Sequence, residues 1–290
     1  MKDTALVAEE RVALVTGASS GFGVRIAVKL AERGYRVAAS MRDPVSRGEE
    51  LESRAKRAGV WNRIVVLRLD VTESGSIEAA VSFLLKEYGR IDVLVNNAGY
   101  AAGGFTEEVP LEEWRLQMET NFFGLVAVTR AVLPGMRQRR SGRIINMGSV
   151  SGRTAFPGFG PYASSKFALE GFSESLRHEM SPWGIQVVLI EPGSYRTAIW
   201  EKGMDTVSAV PDSPYRRQLD AVLAFTKRSA AGAPDPQEVA DLVGRLVDLR
   251  SPKLRYAPGR AARLLPSVKS LLPWRLYERL VRFALRRRTP

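Results

Sequence analysis

Short runs of apolar, largely β-branched residues alternate along this chain with longer stretches in which apolar positions recur every three or four residues. The short runs are RVALVTG (11–17), YRVAASM (35–41), RIVVLRLD (63–70), IDVLVNN (91–97), GRIINMGS (142–149) and IQVVLIEPG (185–193). Each is nearly continuous in its hydrophobicity, as expected of a strand covered on both faces. Such strands, alternating with helical stretches, predict βαβ units and an α/β fold with a doubly wound parallel sheet. After Gly193 the alternation loosens, and Tyr195, Ile199, Trp200, Met204, Tyr215, Leu219 and Phe225 lie scattered among Pro and Ser. DPQEVADLVGRLVDL (235–249) predicts a further amphipathic helix, with Pro236 suited to its first turn. The spacing predicts a last one over 274–288. There Arg275, Arg279, Arg282 and Arg286 fall within about 40° of one direction, with Leu276, Tyr277, Leu280, Val281, Phe283 and Ala284 opposite.

With 290 residues, 45% of them hydrophobic, the chain can bury a sizeable core. It has no cysteine and one histidine, His178. Disulfides, thiolate chemistry and a zinc site built from several histidines are thereby excluded, and no metal is expected. Chemistry falls to Tyr, Lys, Ser, carboxylates or a bound cofactor. The N-terminus lacks a basic-then-apolar profile, and no 18 apolar residues run together. A cytoplasmic protein is the expectation, peripheral at a membrane if its tail binds one. The net charge of +12 is unevenly placed. From Arg250 to the end twelve Lys/Arg face one acid, Glu278, which leaves +1 for the first 249 residues. The basicity belongs to the tail, and no nucleic-acid reading module accompanies it.

The first predicted strand runs into TGASSGFG (16–23) and then a helix. Glycines at 17, 21 and 23 permit a sharp turn and let backbone N–H groups approach a pyrophosphate at a helix N-terminus. Further on, Tyr162 and Lys166 stand four residues apart on a predicted helix, one above the other. A free tyrosine titrates near 10. An ammonium one turn away favours the phenolate, by about 4 kcal/mol at about 4 Å and an effective dielectric of about 20. Alone the pair reads as a solvated helix face. Beside a bound hydride carrier it reads as an acid tuned toward neutrality for a carbonyl or alcohol.

In order, TGASSGFG is followed by NNAG (96–99), NFFG (121–124), GSVSG (148–152), YASSK (162–166) and PG (192–193). In this conjunction the chain resembles the short-chain dehydrogenase/reductase family. The resemblance covers roughly residues 8–262, as an NADP-binding domain of Rossmann type in which 194–235 covers the substrate. A basic amphipathic tail, 263–290, follows it. The resemblance implies Tyr162 as acid/base, Lys166 also on the nicotinamide ribose, and Ser149 holding the substrate oxygen. It implies that Asn121 kinks its helix and holds a water relaying protons to Lys166. Cofactor contacts implied in the same way are Gly17, Ser19, Ser20, Gly21, Phe22, Asp70, Val71, Asn97, Ala98, Gly99, Tyr162, Lys166, Pro192, Gly193 and Thr197.

At the end of the second strand, where a carboxylate would repel a 2′-phosphate, this chain has Met41 followed by Arg42. A guanidinium there can pair with the phosphate, so NADP(H) is expected ahead of NAD(H). The family's second basic position is Ser20 in this chain. Phe156 and Phe159 before Tyr162, with the segment from Tyr195 to Phe225, suggest a hydrophobic ketone, aldehyde or alcohol as substrate. The C-terminal ending is similar to members acting on steroids, retinoids or other lipid-like carbonyls. A carbonyl reductase working as a homodimer or homotetramer is the reading, with no nucleic-acid partner. The rival is a non-catalytic nicotinamide-binding sensor or membrane-associated scaffold, which has no need of Ser149, Tyr162 and Lys166 together.

Overall fold

The computed structural model describes residues 10–197 and 212–286, without the side chains of Arg260, Ala261 and Arg286. Ile199, Trp200, Met204, Arg287 and Arg288 lie outside the described residues. Seven strands, β1 (Val12–Val15), β2 (Arg36–Met41), β3 (Ile64–Arg68), β4 (Val93–Asn96), β5 (Gly142–Met147), β6 (Ile185–Ile190) and β7 (Arg255–Tyr256), form one sheet. Its order is β3-β2-β1-β4-β5-β6-β7 and every pairing is parallel. Successive side chains of a strand point to opposite faces. Ala13 and Val15 join Val37, Val95, Ile145 and Val188 on one face, while Leu14 joins Leu94, Ile144 and Val187 on the other. That double burial is why the strands read as unbroken apolar runs.

Helices α1 (Gly21–Glu32), α2 (Pro44–Arg47), α3 (Glu49–Arg57), α4 (Ser74–Tyr88), α5 (Leu111–Met118), α6 (Gly124–Arg139), α7 (Gly160–Met180), α8 (Arg216–Ala231), α9 (Gln237–Leu246), α10 (Arg260–Leu271) and α11 (Trp274–Arg286) cover the sheet and its C-terminal side. Leu30 of α1 and Val243 of α9 fill one face; Leu84 of α4 and Val132 of α6 fill the other. Between α5 and α6 the chain makes a π-helical turn, Glu119–Phe123. Asn121 lies within this turn.

The strands are shorter than the apolar runs, because the last residues of β1, β4, β5 and β6 turn away to frame a crevice. β1 pairs with both β2 and β4, so the strand order reverses there and the crevice opens at that point. The two-residue β7, held by Leu254 O accepting from Leu189 N and by Tyr256 O accepting from Glu191 N, is too short to leave a sequence pattern. The helix expected over 235–249 is trimmed to α9. Asp235 accepts from Gln237 N, and Pro236 sits at the cap and not in the first turn. In α11 the apolar side is not one face: Tyr277 is buried, whereas Leu276, Leu280 and Phe283 are exposed.

Candidate active site

The turn after β1 is built around glycine. Gly17 has φ of 67°, and a Cβ there would meet Ala98 Cα at 2.8 Å. A Cβ on Gly23 would lie 2.2 Å from Gly17 O and 2.6 Å from Asn97 Nδ2. Asn97 holds this turn in place: its Nδ2 donates to Thr16 O at 2.9 Å and to Gly17 O at 3.0 Å. Thr16 Oγ1 accepts from the N–H groups of Asn97 and Ala98. The end of β4 thereby fastens the end of β1 through a polar clasp at the switch point, with Thr16 buried and Asn97 half-buried.

Deeper in the sheet, Asn96 Nδ2 donates to Thr129 Oγ1 (2.9 Å) and Asn146 Oδ1 (3.0 Å), and Asn146 Nδ2 donates to Ser173 Oγ (2.9 Å). All four side chains are buried. Asn121 Nδ2 donates to Tyr100 O and to Ser165 Oγ, and its Oδ1 accepts from Tyr100 N. Ser165 in turn donates to Tyr162 O. Asn121 therefore ties the loop after β4 to the helix carrying Tyr162. Its carboxamide is engaged on both sides with these partners.

A cavity of about 570 Å³ lies over the crevice. Every residue assigned above to the cofactor or to catalysis lines it, except Asn121. Ser149 stands just past β5, where its Oγ accepts from Ser151 N at 3.1 Å. Its hydroxyl also bonds the phenol of Tyr162. Lys166, one turn along α7, is buried and donates from Nζ to Met147 O at 2.8 Å.

Here the tuning expected from spacing alone is corrected. Burial pushes the Tyr162 phenol above its ordinary value of 10, against the opposing influence of the Ser149 hydrogen bond. Burial also lowers Lys166 to about 8, with Glu170 pulling the other way. Desolvation disfavours the charged form of both groups. The Lys166 Nζ is drawn to the Met147 carbonyl, 5.8 Å from the Tyr162 ring centroid.

At the far end of the cavity Arg42 is joined by Arg47, which the sequence pattern did not single out. Asp43 accepts from Val45 N and Ser46 N, so it caps α2, the short helix that carries Arg47. Asp followed by Pro44 at a helix start was the available signal. Among the described residues neither arginine forms a salt bridge, and Asp43 serves as a cap. Asp70 lines the cavity but its Oδ1 accepts from Thr72 N and Oγ1. Thr197 lies against Gly21, 3.7 Å from where a Cβ would sit.

The apolar residues divide. Tyr195 lines the cavity from within the core, with its edge against Phe22 and its hydroxyl donating to Glu238. Phe156 stacks on Phe225 of α8 at 6.0 Å, and Val222 of α8 lies against Gly158. Phe156, Phe159 and Phe225 do not line the cavity. The Phe156–Phe225 and Gly158–Val222 contacts join α8 to the loop that precedes Tyr162.

Residues 11–207 match the family profile described as short chain dehydrogenase. Over 278 residues the chain is 46% identical to the uncharacterized oxidoreductase YusZ of Bacillus subtilis (strain 168), covering 94% of this chain and 98% of that one. It is 35% identical to the 3-ketodihydrosphingosine reductase of Bacteroides thetaiotaomicron, covering 96% and 97%. Among solved structures, a single-substitution variant of the actinorhodin polyketide ketoreductase with NADPH superimposes with a TM-score of 0.75. That protein is 31% identical, with 87% of this chain and 97% of that chain covered.

Proposed function

The chain belongs to the short-chain dehydrogenase family, and from that premise we propose an NADP(H)-dependent oxidoreductase that interconverts an apolar ketone or aldehyde with its alcohol. The observation that carries the reading is the Ser149 hydroxyl on the Tyr162 phenol, in a cavity whose floor also holds Lys166.

The residues present fit the dinucleotide. Glycine at 17 and 23 lets the turn after β1 close tightly on Ala98 and Asn97, and backbone N–H groups at the start of α1, beside the cavity, suit a pyrophosphate. Arg42 and Arg47 would hold a 2′-phosphate. When bound, the nicotinamide supplies or accepts the hydride. Tyr162 Oη gives its proton to the carbonyl oxygen as the alcohol forms, and takes it back in the reverse direction. Ser149 Oγ donates to the same oxygen and orients it. Lys166, fixed by Met147 O, sets a positive charge beneath the reacting groups and would bind the ribose. Asn121 acts through Ser165 and Tyr100, positioning α7 against the loop after β4.

The name of the Bacteroides relative supports a lipid-like carbonyl, as does the apolar lining contributed by Met147, Leu116 and Tyr195. The test is NADPH oxidation against a panel of long-chain 3-ketones, steroid ketones and retinal, with NADH in parallel. Turnover of an apolar carbonyl, faster with NADPH, is expected. Tight dinucleotide binding with no turnover of any carbonyl or alcohol would favour the non-catalytic reading.

A further inference from the structure

The two C-terminal helices carry a row of side chains that the fold leaves outside. On α10 Leu264, Val268 and Leu271, spaced four and three apart, are 62%, 38% and 82% exposed, and Trp274 at the joint is 61% exposed. On α11 Leu276, Leu280 and Phe283 repeat the spacing at 44%, 44% and 54%. The inward side of α11 is taken by Tyr277, packed toward α8. At 100° per residue the exposed trio lies beside, and not opposite, the exposed Arg275, Arg279 and Arg282. On α11 the outward apolar stripe therefore has a guanidinium edge.

We propose that α10 and α11 form a dock for an anionic lipid surface, holding the substrate side of the active site at that surface. The charge selects the occupant. The segment from residue 250 carries +11 while the remainder of the chain carries +1. A second copy meeting this face through the same patch would set one strongly basic tail against another. Anionic headgroups beside an acyl layer match both parts, arginines at headgroup level and leucines and phenylalanine below them. The single acid of the tail, Glu278, lies 3.6 Å from Arg282 and accepts from Trp274 Nε1 at 3.1 Å, so it offsets one arginine of the edge and leaves Arg275 and Arg279. Among the described residues no helix is long and apolar enough to cross a membrane, so the contact proposed is peripheral.

The placement gives the dock its meaning. α10 begins against the Pro192–Gly193 loop, where Ala262 Cβ lies 3.6 Å from a Cβ built on Gly193. Lys269 of α10 donates to Arg153 O, just beyond Ser149. α11 packs on α8, whose Val222 and Phe225 adjoin the loop before Tyr162. A surface holding these helices would lie beside the route by which an apolar substrate reaches Tyr162. This last step rests on the proposed function; the lipid contact itself does not.

Co-sedimentation of the full chain with vesicles tests the dock independently of turnover. The vesicles are phosphatidylcholine alone or phosphatidylcholine with phosphatidylglycerol. Wild type is expected to bind the anionic vesicles and release as salt rises. Arg275→Gln/Arg279→Gln/Arg282→Gln should weaken binding at least about tenfold. Leu276→Ser/Leu280→Ser/Phe283→Ser should weaken it comparably, with circular dichroism and the thermal midpoint reporting folding. Should the apolar variant fail to fold, the arginine variant and the salt series decide alone. Wild type that never sediments with anionic vesicles, or that binds them as well after the arginines are changed, overturns the proposal. So does an oligomer that dissociates in the apolar variant, because a second copy then covers the stripe.

Discussion

Lys166 reaches back from α7 to the carbonyl of Met147, two residues before Ser149, and donates to it at 2.8 Å. One hydrogen bond thus joins the helix bearing Tyr162 to the end of β5, just before Ser149. Lys166→Met removes that tie together with the charge. The expected outcome is loss of turnover and a measurable loss of dinucleotide affinity by fluorescence titration. A variant that keeps wild-type affinity would show that Lys166 does not hold the ribose.

Tyr162→Phe keeps the buried ring and removes the proton. Turnover should fall by about 10²–10⁴-fold, the usual value of general acid catalysis, with dinucleotide affinity nearly unchanged. Steady-state rates beside an equilibrium titration check both halves. Retention of more than about a tenth of the rate would remove Tyr162 from the acid's role.

Arg42→Ala and Arg47→Ala should each weaken NADPH far more than NADH, by about 1.5–3 kcal/mol for a charge-assisted contact. Equal losses for both dinucleotides, measured by calorimetry, would show that neither arginine reads the phosphate.

Gly23→Ala places a Cβ against the backbone oxygen of Gly17 and the amide of Asn97. Forcing the turn apart should cost about 1–3 kcal/mol of stability and abolish dinucleotide binding. A thermal midpoint and a titration read the two effects. Unchanged binding would mean that the turn does not cradle the pyrophosphate.

One pH dependence has its origin behind the site. Arg255 Nε stands 3.0 Å from both Glu170 Oε2 and Glu191 Oε1, so two buried carboxyls share one guanidinium nitrogen. Burial first, and then the charge of Glu191, push Glu170 up from 4.5 to about 7, against Arg255 and Arg153. Burial raises Glu191 as well. The folded chain binds these protons more tightly than the unfolded chain. Their contribution to stability is full below 4.5 and is lost as pH rises through about 7. Glu170→Gln retains an acceptor for Arg255 and cannot titrate. The stability of wild type relative to this variant should therefore fall across that window. The fall is a few kcal/mol at most, at about 1.4 kcal/mol for each tenfold difference in proton affinity between the folded and unfolded chain. Parallel melting curves for both proteins from acid to neutral pH would exclude Glu170 as the group concerned.

Much of this was legible in the residues. Buried parallel strands leave unbroken apolar runs, so six of them and the glycine turn after the first could be read directly. β7 could not, because Arg255 and Tyr256 are ordinary residues whose pairing depends on β6 lying beside them. The spacing of Tyr162 and Lys166 was legible, but their burial was not, and burial decides the sign of both shifts. Arg47 was hidden for a different reason: only the short helix capped by Asp43 brings it to the cavity that Arg42 also lines. On α11 periodicity found the apolar side, while contact with α8 decided which part of it turned inward.

The buried chain from Asn96 through Asn146 to Ser173 lies outside the cavity, yet it sets the cavity's ruler. Asn96 and Asn146 are paired directly across β4 and β5. A slip of one residue between these strands would advance Ser149 relative to Asn97 by about 3.3 Å, the rise per strand residue. It would also turn one asparagine to the opposite face, away from the amide that answers it. Two side chains that never meet a substrate thus act as the gauge for how far the serine hydroxyl stands from the dinucleotide turn.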